Sequence, residues 1–321
     1  MSADFSALGF RVGHDTDAAG GTGVTVFRAE GAFRAAAAVL GRATGTRELD
    51  ALDPDHLVDR VDAIVLTGGS AFGLASADGV MRWMEERGRG YDVRIGVVPI
   101  VPAAVIFDLG PLGDARSRPT AEMAYAACDR ASAAFEEGSV GAGTGATVGK
   151  AAGIDRAMKG GLGAHVVTVG PLAVGALVVV NALGDVRDAG GHILAGARAE
   201  GGGFVDSAKF IAAGQGIGPR PDGGNTTLAV IATNAALSRL QLRQVARAAA
   251  AGLARRITPV GTSFDGDVIF AAAPLEGIAA LPIQVEAMAV DALERAIERA
   301  VRTARGRDGV PGLADPGAAS R

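Results

Sequence analysis

The sequence predicts a layered α/β domain, because strand-like apolar runs alternate with helical patterns along most of its 321 residues. Hydrophobic residues make up 49% of the chain and charged residues 21%, which is enough apolar material for a buried core. Most of the strand-like runs are continuously apolar, a pattern typical of strands that are buried on both faces. The 48 glycines follow no repeat and favour closely packed backbones.

The predicted strands include Val24 to Phe27, Ala63 to Thr67, Ile95 to Pro99, His165 to Val169, Ala173 to Val180, Thr227 to Ile231 and Val268 to Ala272. The predicted helices are Ala71 to Arg87, Thr120 to Glu137, Ser238 to Ile257 and Pro282 to Thr303. In the third helix, Ser238 is a candidate N-cap, and the expected apolar stripe comprises Leu240, Val245, Leu253 and Ile257. The tail from about residue 304 to 321, rich in glycine, proline and charge, is expected to be disordered.

Composition argues against several classes of function. With Cys128 as its single cysteine, the chain can form neither an intrachain disulfide nor a zinc site of paired thiolates, and a packed, unreactive Cys128 is expected. The histidines lack metal-ligand spacing, so no metal site is predicted; they are His14, His56, His165 and His192. A net charge of -4 and 4% aromatic residues argue against nucleic-acid binding. The chain has neither a run long enough to span a membrane nor a recognisable signal sequence, so a cytoplasmic protein without membrane contact is expected.

One glycine-rich segment, Gly68 to Gly73, follows a predicted strand and opens a helix. Ser70 lies where an esterase would carry its nucleophile, but Phe72 occupies the position of the second glycine in the G-x-S-x-G motif. Ser70 is therefore rejected as an esterase nucleophile. The segment is interpreted as a tight turn whose amide groups are available to a ligand, and Ser70 remains a candidate substrate-binding residue.

A second glycine-rich segment, Gly141 to Lys150, has the composition of a phosphate-binding loop but not its spacing. Thr144 occupies the position of the first glycine, and Ala151 replaces the hydroxyl residue that binds magnesium. A nucleotide site is therefore not predicted. Lys150 is interpreted either as a surface lysine or as a charge beside a reacting amide.

The third candidate is the junction of Asn225 and Thr226, where a segment rich in glycine and proline, Ala213 to Asn225, meets a predicted buried strand. A threonine hydroxyl needs a base to act as a nucleophile, and an amino-terminal threonine supplies its own α-amine, with a pKa of about 7.7 to 8.0. Asp265 and Asp267 lie in a predicted turn and could orient such a group or transfer protons. The residues alone leave open that this is an ordinary loop followed by an ordinary turn.

Several ordered motifs extend beyond these candidates: VGHDTD, GTGVTV, ATGTRE, VDAIVLTGGSAFGL, PIVPAAVIFDL, VGAGTGATVGK, VNALGDV, NTTLAVIATNAAL and TSFDGDVIFA. Through about residues 9 to 300, they resemble the P1 (S58, DmpA-type) peptidases. This family includes L-aminopeptidase/D-esterases, β-aminopeptidases and nylon-oligomer hydrolases. The resemblance implies a four-layer αββα sandwich like that of amino-terminal-nucleophile hydrolases, with a connectivity shared with ornithine acetyltransferases.

The resemblance also implies a self-cleaving precursor. The expected products are a longer chain of residues 1–225 and a shorter chain of residues 226–321, which stay together as one intertwined domain. Thr226 is then the expected nucleophile, and no cofactor is expected. Members of the family form tetramers of processed heterodimers, so a homo-oligomer is expected.

The site residues carried over by motif favour the branch that hydrolyses 6-aminohexanoate (nylon) oligomers. Asp265 and Asp267 match its acidic pair, Lys150 matches a site lysine, and Asn181 matches the asparagine thought to help bind the oxyanion. Phe107 departs from the tyrosine of that branch and is a candidate substrate-binding residue without a hydroxyl.

The function expected from the sequence is therefore hydrolysis of small oligo-amides or peptides through an acyl-enzyme. Three alternatives remain open: an aminopeptidase/D-esterase or β-aminopeptidase of the same family, a self-processed acyltransferase of the ornithine acetyltransferase type, and an inactive binding or scaffold protein. The sequence does not reveal the shape of the substrate pocket, which would separate the hydrolase alternatives.

Overall fold

The computed structural model describes residues 2–110, 112–216 and 224–317. In these residues the helices are α1 (Ala77–Glu85), α2 (Ala121–Asp129), α3 (Ser207–Ala212), α4 (Arg239–Arg256) and α5 (Pro282–Arg302). The strands are β1 (Ser2–Asp4), β2 (Phe10–Asp17), β3 (Thr22–Val39), β4 (Thr46–Arg47), β5 (Val61–Thr67), β6 (Tyr91–Asp92), β7 (Val97–Val98), β8 (Ala103–Val105), β9 (Ala134–Glu136), β10 (Thr147–Val148), β11 (Met158–Lys159), β12 (Gly161–Val169), β13 (Leu172–Asn181), β14 (Asp185–Arg187), β15 (Ile193–Ala195), β16 (Thr226–Thr233), β17 (Ile257–Thr258) and β18 (Val268–Pro274).

Strand β3 connects two sheets that face each other. Its first half pairs with β2 and β5, and its second half pairs with β18, so the hydrogen-bonded order runs β12-β13-β16-β18-β3-β5-β8-β4. One apolar core lies between the two sheets, a second lies under α4 and α5, and a third lies under α1 and α2. The layers are therefore helix, sheet, sheet, helix, which is the predicted αββα sandwich.

The central strands are apolar at nearly every position because both of their faces are buried. In β16, Leu228 and Val230 face the core between the sheets, whereas Ala229 and Ile231 face α4 and α5. In β18, Phe270 lies on the inner face between the sheets. This alternation of faces along a strand explains the continuous runs in the sequence.

Helix α4 begins as predicted, at a capping box in which Ser238 accepts from the Gln241 amide while the Gln241 side chain accepts from the Ser238 amide. Its buried face differs from the predicted stripe. Leu240 is 51% exposed, whereas Leu242 is fully buried. Two residues span about 200° on a helix, so Leu240 and Leu242 lie on opposite faces. Val245 and Leu253 are buried as expected.

Three predicted elements were wrong in part. The helix expected from Ala71 to Arg87 is an α-helix only over α1, and the residues before it, Ser70–Ser76, form a 3-10 helix. The helix expected from Thr120 to Glu137 ends at Asp129, because Ser132 pairs with Val12 and the next residues form β9 against β1. Only Val97 and Val98 of the strand expected from Ile95 to Pro99 are extended, and they belong to an exposed hairpin with β6. Ile95, at the tip of that hairpin, is 97% exposed.

The segment after α5 is also more ordered than its composition suggested. Ala304 is fully buried, and Val310 is 7% exposed. The Lys159 amide donates to the Pro311 carbonyl, and the Ala314 amide donates to the Ala304 carbonyl. Residues 304–317 are therefore packed against the domain and are not the expected disordered tail. Of the expected Ala213 to Asn225 boundary, residues 217–223 lie outside the described part. Within the described residues, no helix has the length and apolarity needed to cross a bilayer.

A matched pair of substitutions tests the corrected face of α4. Leu242→Ala removes a fully buried side chain and should lower the free energy of unfolding by about 2–5 kcal/mol. Leu240→Ala on the exposed face should change it by less than about 0.5 kcal/mol. Urea unfolding followed by circular dichroism measures both, and an equal effect of the two substitutions would contradict the observed orientation.

Candidate active site

The sheet places three separate segments of the chain at one end of its centre. Strands β13 and β16 are antiparallel with Asn181 opposite Thr226, so the last residue of β13 lies beside the first residue of β16. Strands β16 and β18 are parallel, which brings the turn before β18 to the same end. A bridge between Asn225 and Asp265 continues the same register three residues before the first paired residues, Leu228 and Val268. The predicted cleavage junction therefore lies beside Asn181 and close to the turn that carries Asp265 and Asp267.

Thr226 is 4% exposed and lies against its own preceding peptide group. Its hydroxyl donates to the Asn225 carbonyl at 2.6 Å, and the Gly266 amide donates to the same carbonyl at 2.7 Å. A Cβ on Gly266 would lie 2.8 Å from Thr226 Oγ1, so only glycine fits here without a shift. The carbonyl before Thr226 is thus polarised by two donors.

The two carboxylates of the turn are buried and held by backbone amides. Asp267 Oδ1 accepts from the Thr227 amide at 2.6 Å, and Asp265 Oδ2 accepts from the Thr262 amide at 2.7 Å. Burial raises the pKa of Asp265, and burial together with repulsion from Asp265 raises the pKa of Asp267 to about 7. Asp267 Oδ2 has no hydrogen-bond partner among the described residues. Asp267 can therefore exchange a proton near neutral pH.

A loop after β3 holds this turn in place, a role that was not predicted from the sequence. The amides of Leu40 and Gly41 donate to the Asp267 carbonyl, and those of Arg42 and Ala43 donate to the Asp265 carbonyl. Because the backbone carbonyls of Asp265 and Asp267 are hydrogen-bonded in this way, the backbone of the turn is held in one conformation.

Lys150 contacts Asn181 and does not extend into solvent. Its ammonium donates to Asn181 Oδ1 at 2.9 Å and to the Asn181 carbonyl at 3.2 Å. Burial lowers the pKa of Lys150 to about 7, although Asp265 and Asp108 act in the opposite direction. This geometry does not fit the interpretation as a surface lysine, and the role of Lys150 as a charge beside a reacting amide stays a prediction.

The Asn181 side chain is oriented by these contacts. The Thr147 amide donates to Oδ1 at 3.0 Å, so Oδ1 is fully engaged and Nδ2 points the other way. Nδ2 donates to the Phe107 carbonyl at 3.1 Å and lies 3.5 Å from the Gly224 carbonyl. A donor is therefore directed at the backbone just before the junction.

A cleft of about 410 Å³ opens beside Thr226. Its lining includes both predicted substrate-binding residues, Ser70 and Phe107, and consists of Ala43, Thr44, Gly45, Ser70, Ala71, Val105, Phe107, Gly224, Thr226, Ser263 and Phe264. The amides predicted to face a ligand are partly used, because the Gly69 amide donates to Asp108 and the Ser70 amide to the Ile106 carbonyl. Ser70 therefore lines the cleft, but the amides of Gly69 and Ser70 already donate within the protein.

The glycine run before Lys150 serves packing. Gly149 has a φ of +70° and contacts the backbone of Gly196 and Ala197 so closely that a Cβ would collide with it. Lys159, which sequence reasoning missed, is fully buried and donates to the Thr144 carbonyl at 2.9 Å and to the Ala146 carbonyl at 2.5 Å. Burial lowers the pKa of Lys159 to about 7. This lysine holds the run that leads to Thr147 and Lys150.

Similar solved structures define the class of fold. The structure of an L-aminopeptidase D-Ala-esterase/amidase from Ochrobactrum anthropi, described as a variant of the Ntn hydrolase fold, superimposes with a TM-score of 0.71 at 21% identity. The similarity covers 98% of this chain and 92% of that one. A β-aminopeptidase from Burkholderia sp. gives a TM-score of 0.69 at 21% identity, over 95% of this chain and 89% of that one. The predicted fold class is confirmed.

Sequence comparison defines the family. Residues 7–313 match the sequence model of peptidase family S58. A protein of Mycobacterium tuberculosis named as an uncharacterized aminopeptidase is 43% identical, over 97% of each chain. A 6-aminohexanoate-oligomer endohydrolase of Agromyces sp. is 30% identical, over 84% of this chain and 73% of that protein. The chain belongs to peptidase family S58, and it is a hydrolase that acts on peptide or amide bonds.

The raised pKa of Asp267 predicts a pH-dependent stability. The folded chain holds this proton more tightly than the unfolded chain, so the contribution is complete below the unfolded pKa of 3.8 and is lost as the pH rises through about 7. We compare Thr226→Ala, which removes the candidate nucleophile, with the double variant Thr226→Ala/Asp267→Asn. The free energy of unfolding of the double variant should therefore rise relative to that of Thr226→Ala between pH 4 and pH 8, by up to about 4 kcal/mol. Urea unfolding at several pH values measures this gain. A pH-independent difference for Asp267→Asn would refute the shift.

Proposed function

We propose that the chain cleaves itself between Asn225 and Thr226, and that the freed Thr226 is then the nucleophile of an amide hydrolase. The observation that carries this proposal is the contact of the Thr226 hydroxyl with the Asn225 carbonyl, which also accepts from the Gly266 amide. A hydroxyl beside a carbonyl that a backbone donor polarises is the arrangement that an internal acyl shift requires.

In the proposed cleavage, Thr226 Oγ attacks the Asn225 carbonyl carbon, and the Gly266 amide stabilises the negative charge that develops on the carbonyl oxygen. The hydroxyl proton passes through a carboxylate of the Asp265–Asp267 turn to the departing nitrogen. The peptide C–N bond breaks and leaves an ester. Water then hydrolyses this ester, which gives a carboxylate on Asn225 and restores the Thr226 hydroxyl beside the α-amine that the acyl shift freed.

In the proposed turnover, the same hydroxyl attacks a substrate amide bound in the cleft. The new α-amine, with an ordinary pKa of about 7.7 to 8.0, accepts the hydroxyl proton and returns it to the leaving amine. Asn181 Nδ2 points toward Gly224 before cleavage and is available to an oxyanion once that segment moves. Lys150 lies beside Asn181 and adds positive charge when protonated. Water releases the acyl group from Thr226.

For the substrate, we propose small oligo-amides of the 6-aminohexanoate type. The support is the identity of 30–31% with proteins named 6-aminohexanoate-oligomer endohydrolases, together with the combination of Thr226, Asp265 and Asp267 at the site. The aminopeptidases of the same family are the alternative, which the names of the 43% identical relatives favour. The homo-oligomer and the cytoplasmic location stay predictions.

Intact-mass measurement tests the cleavage. The purified protein should give two chains, residues 1–225 and 226–321, whereas Thr226→Ala should stay uncut because it lacks the attacking hydroxyl. Thr227→Ala is the matched control, since Thr227 is also buried and its hydroxyl has no hydrogen-bond partner among the described residues. This control should split normally. An uncut wild-type chain with full activity would refute the proposal, and so would cleavage of Thr226→Ala at the same bond.

Steady-state kinetics on the processed protein test the role of Asn181. Asn181→Asp keeps the oxygen that accepts from Thr147 and Lys150 but removes the Nδ2 donor. We expect kcat to fall about 10²- to 10³-fold with little change in KM. Thr147→Val keeps the backbone donor and should remain within a few-fold of wild type. A loss of less than tenfold in Asn181→Asp would exclude the oxyanion role.

A further inference from the structure

We propose that the cleft accepts an acyl group without a charged amine next to the scissile carbonyl, so the enzyme hydrolyses internal or amine-blocked amides in preference to aminopeptidase substrates. This inference rests on the proposed function of Thr226. It addresses the alternative that the names of the 43% identical relatives leave open.

The lining of the cleft carries no acidic side chain among the residues that the structure describes. Its polar side chains are uncharged hydroxyls, and its larger side chains are Val105, Phe107 and Phe264. An aminopeptidase must hold a protonated amine within a few ångströms of the carbonyl that is attacked. An ammonium group moved out of water without a partner charge is strongly disfavoured.

The carboxylates near the cleft do not fill this role. Asp265 and Asp267 are 2% and 1% exposed and accept from backbone amides. Asp108 is also buried, where it accepts from the Thr22 hydroxyl at 2.7 Å and from the Gly69 amide at 2.6 Å. None of the three belongs to the lining of the cleft.

The charge that does approach the cleft has the wrong sign for an amine. The Lys150 ammonium lies 3.5 Å from the carbonyl of Gly224, which lines the cleft. When Lys150 is protonated, it repels a second ammonium and favours a carbonyl or a developing oxyanion. The apolar side chains of Val105 and Phe107 instead suit a chain of methylene groups. The uncharged lining formed by the described residues and the nearby lysine therefore both favour an uncharged acyl group.

Two anilides with the same carbon skeleton test this inference. Hexanoyl p-nitroanilide and norleucyl p-nitroanilide differ only in the amine beside the carbonyl. At pH 6.5 we expect kcat/KM to be at least tenfold higher for the hexanoyl compound, and this ratio should narrow at pH 9, where the amine is neutral. Equal rates, or faster release from the norleucyl compound at pH 6.5, would overturn the inference.

A pair of substitutions adds a test of the electrostatic cause. Ala71 is exposed and lines the cleft, so Ala71→Glu places a carboxylate there, and Ala71→Gln has nearly the same size without the charge. Relative to Ala71→Gln, Ala71→Glu should move the ratio toward the norleucyl compound by about tenfold or more. The same ratio in both variants would count against the inference.

Failure of this inference can be told apart from failure of the proposed function. Suppose that the chain splits at Thr226 but prefers the norleucyl anilide, or hydrolyses neither anilide. The proposed self-cleavage then stands, and only the inference about the substrate fails. If the chain stays whole and hydrolyses neither anilide, the proposed function fails. In that case, calorimetry of hexanamide and norleucinamide binding to Thr226→Ala still decides the preference, and tighter binding of norleucinamide, or binding of neither amide, refutes it.

Discussion

The hydrogen-bond register of β13, β16 and β18 is the constraint on which the site depends. Antiparallel pairing sets Asn181 beside Thr226, and parallel pairing brings the acidic turn before Val268 to the same end of the sheet. A slip of one residue would turn Thr226 from the space between the sheets toward the helical layer. The apolar cores on both faces oppose such a slip, since it would exchange every inward side chain for its neighbour. Core packing therefore holds Asn181 beside Thr226, whereas the acidic turn is held by the amides of residues 40–43.

Burial brings the protonation equilibria of the site close to neutral pH from opposite directions. The pKa of Lys150 falls to about 7 and that of Asp267 rises to about 7, because a low-dielectric environment disfavours both charged forms. Groups poised in this way gain or lose protons at small free-energy cost, and such shifts concentrate at catalytic sites. Lys159 experiences the same desolvation but donates to backbone carbonyls of the glycine run. Its contribution to the site is indirect, through the segment that carries Thr147.

Periodicity predicted a layered α/β domain and its central strands, because these depend on apolar patterns that the sequence displays directly. The family and its αββα arrangement were predicted from the resemblance that the ordered motifs carry. The predicted face of α4 was wrong at Leu240, because 100° steps along the helix place Leu242, and not Leu240, on the side of Val245 and Leu253. The strand expected from Ile95 to Pro99 was wrong in part because an apolar run predicts a buried strand, whereas Ile95 is exposed in a hairpin. Lys159 and the amides of residues 40–43 could not be predicted, since their roles come from contacts between distant segments. The motif residues do lie together at one end of the sheet, beside or in the lining of the cleft, but their catalytic roles stay predictions.

The order of the strands has a consequence for the fate of the two chains that cleavage would produce. The segment after Thr226 contributes β16 and β18, which lie between β13 on one side and β3 on the other. Separating the fragments would require both of these ladders to open and the cores beneath α4 and α5 to be exposed together. The cut would therefore leave a non-covalent complex whose dissociation is equivalent to global unfolding. Once separated, the two fragments could reassemble only in a second-order reaction. The stability of the processed protein would therefore be kinetic and set by its rate of unfolding.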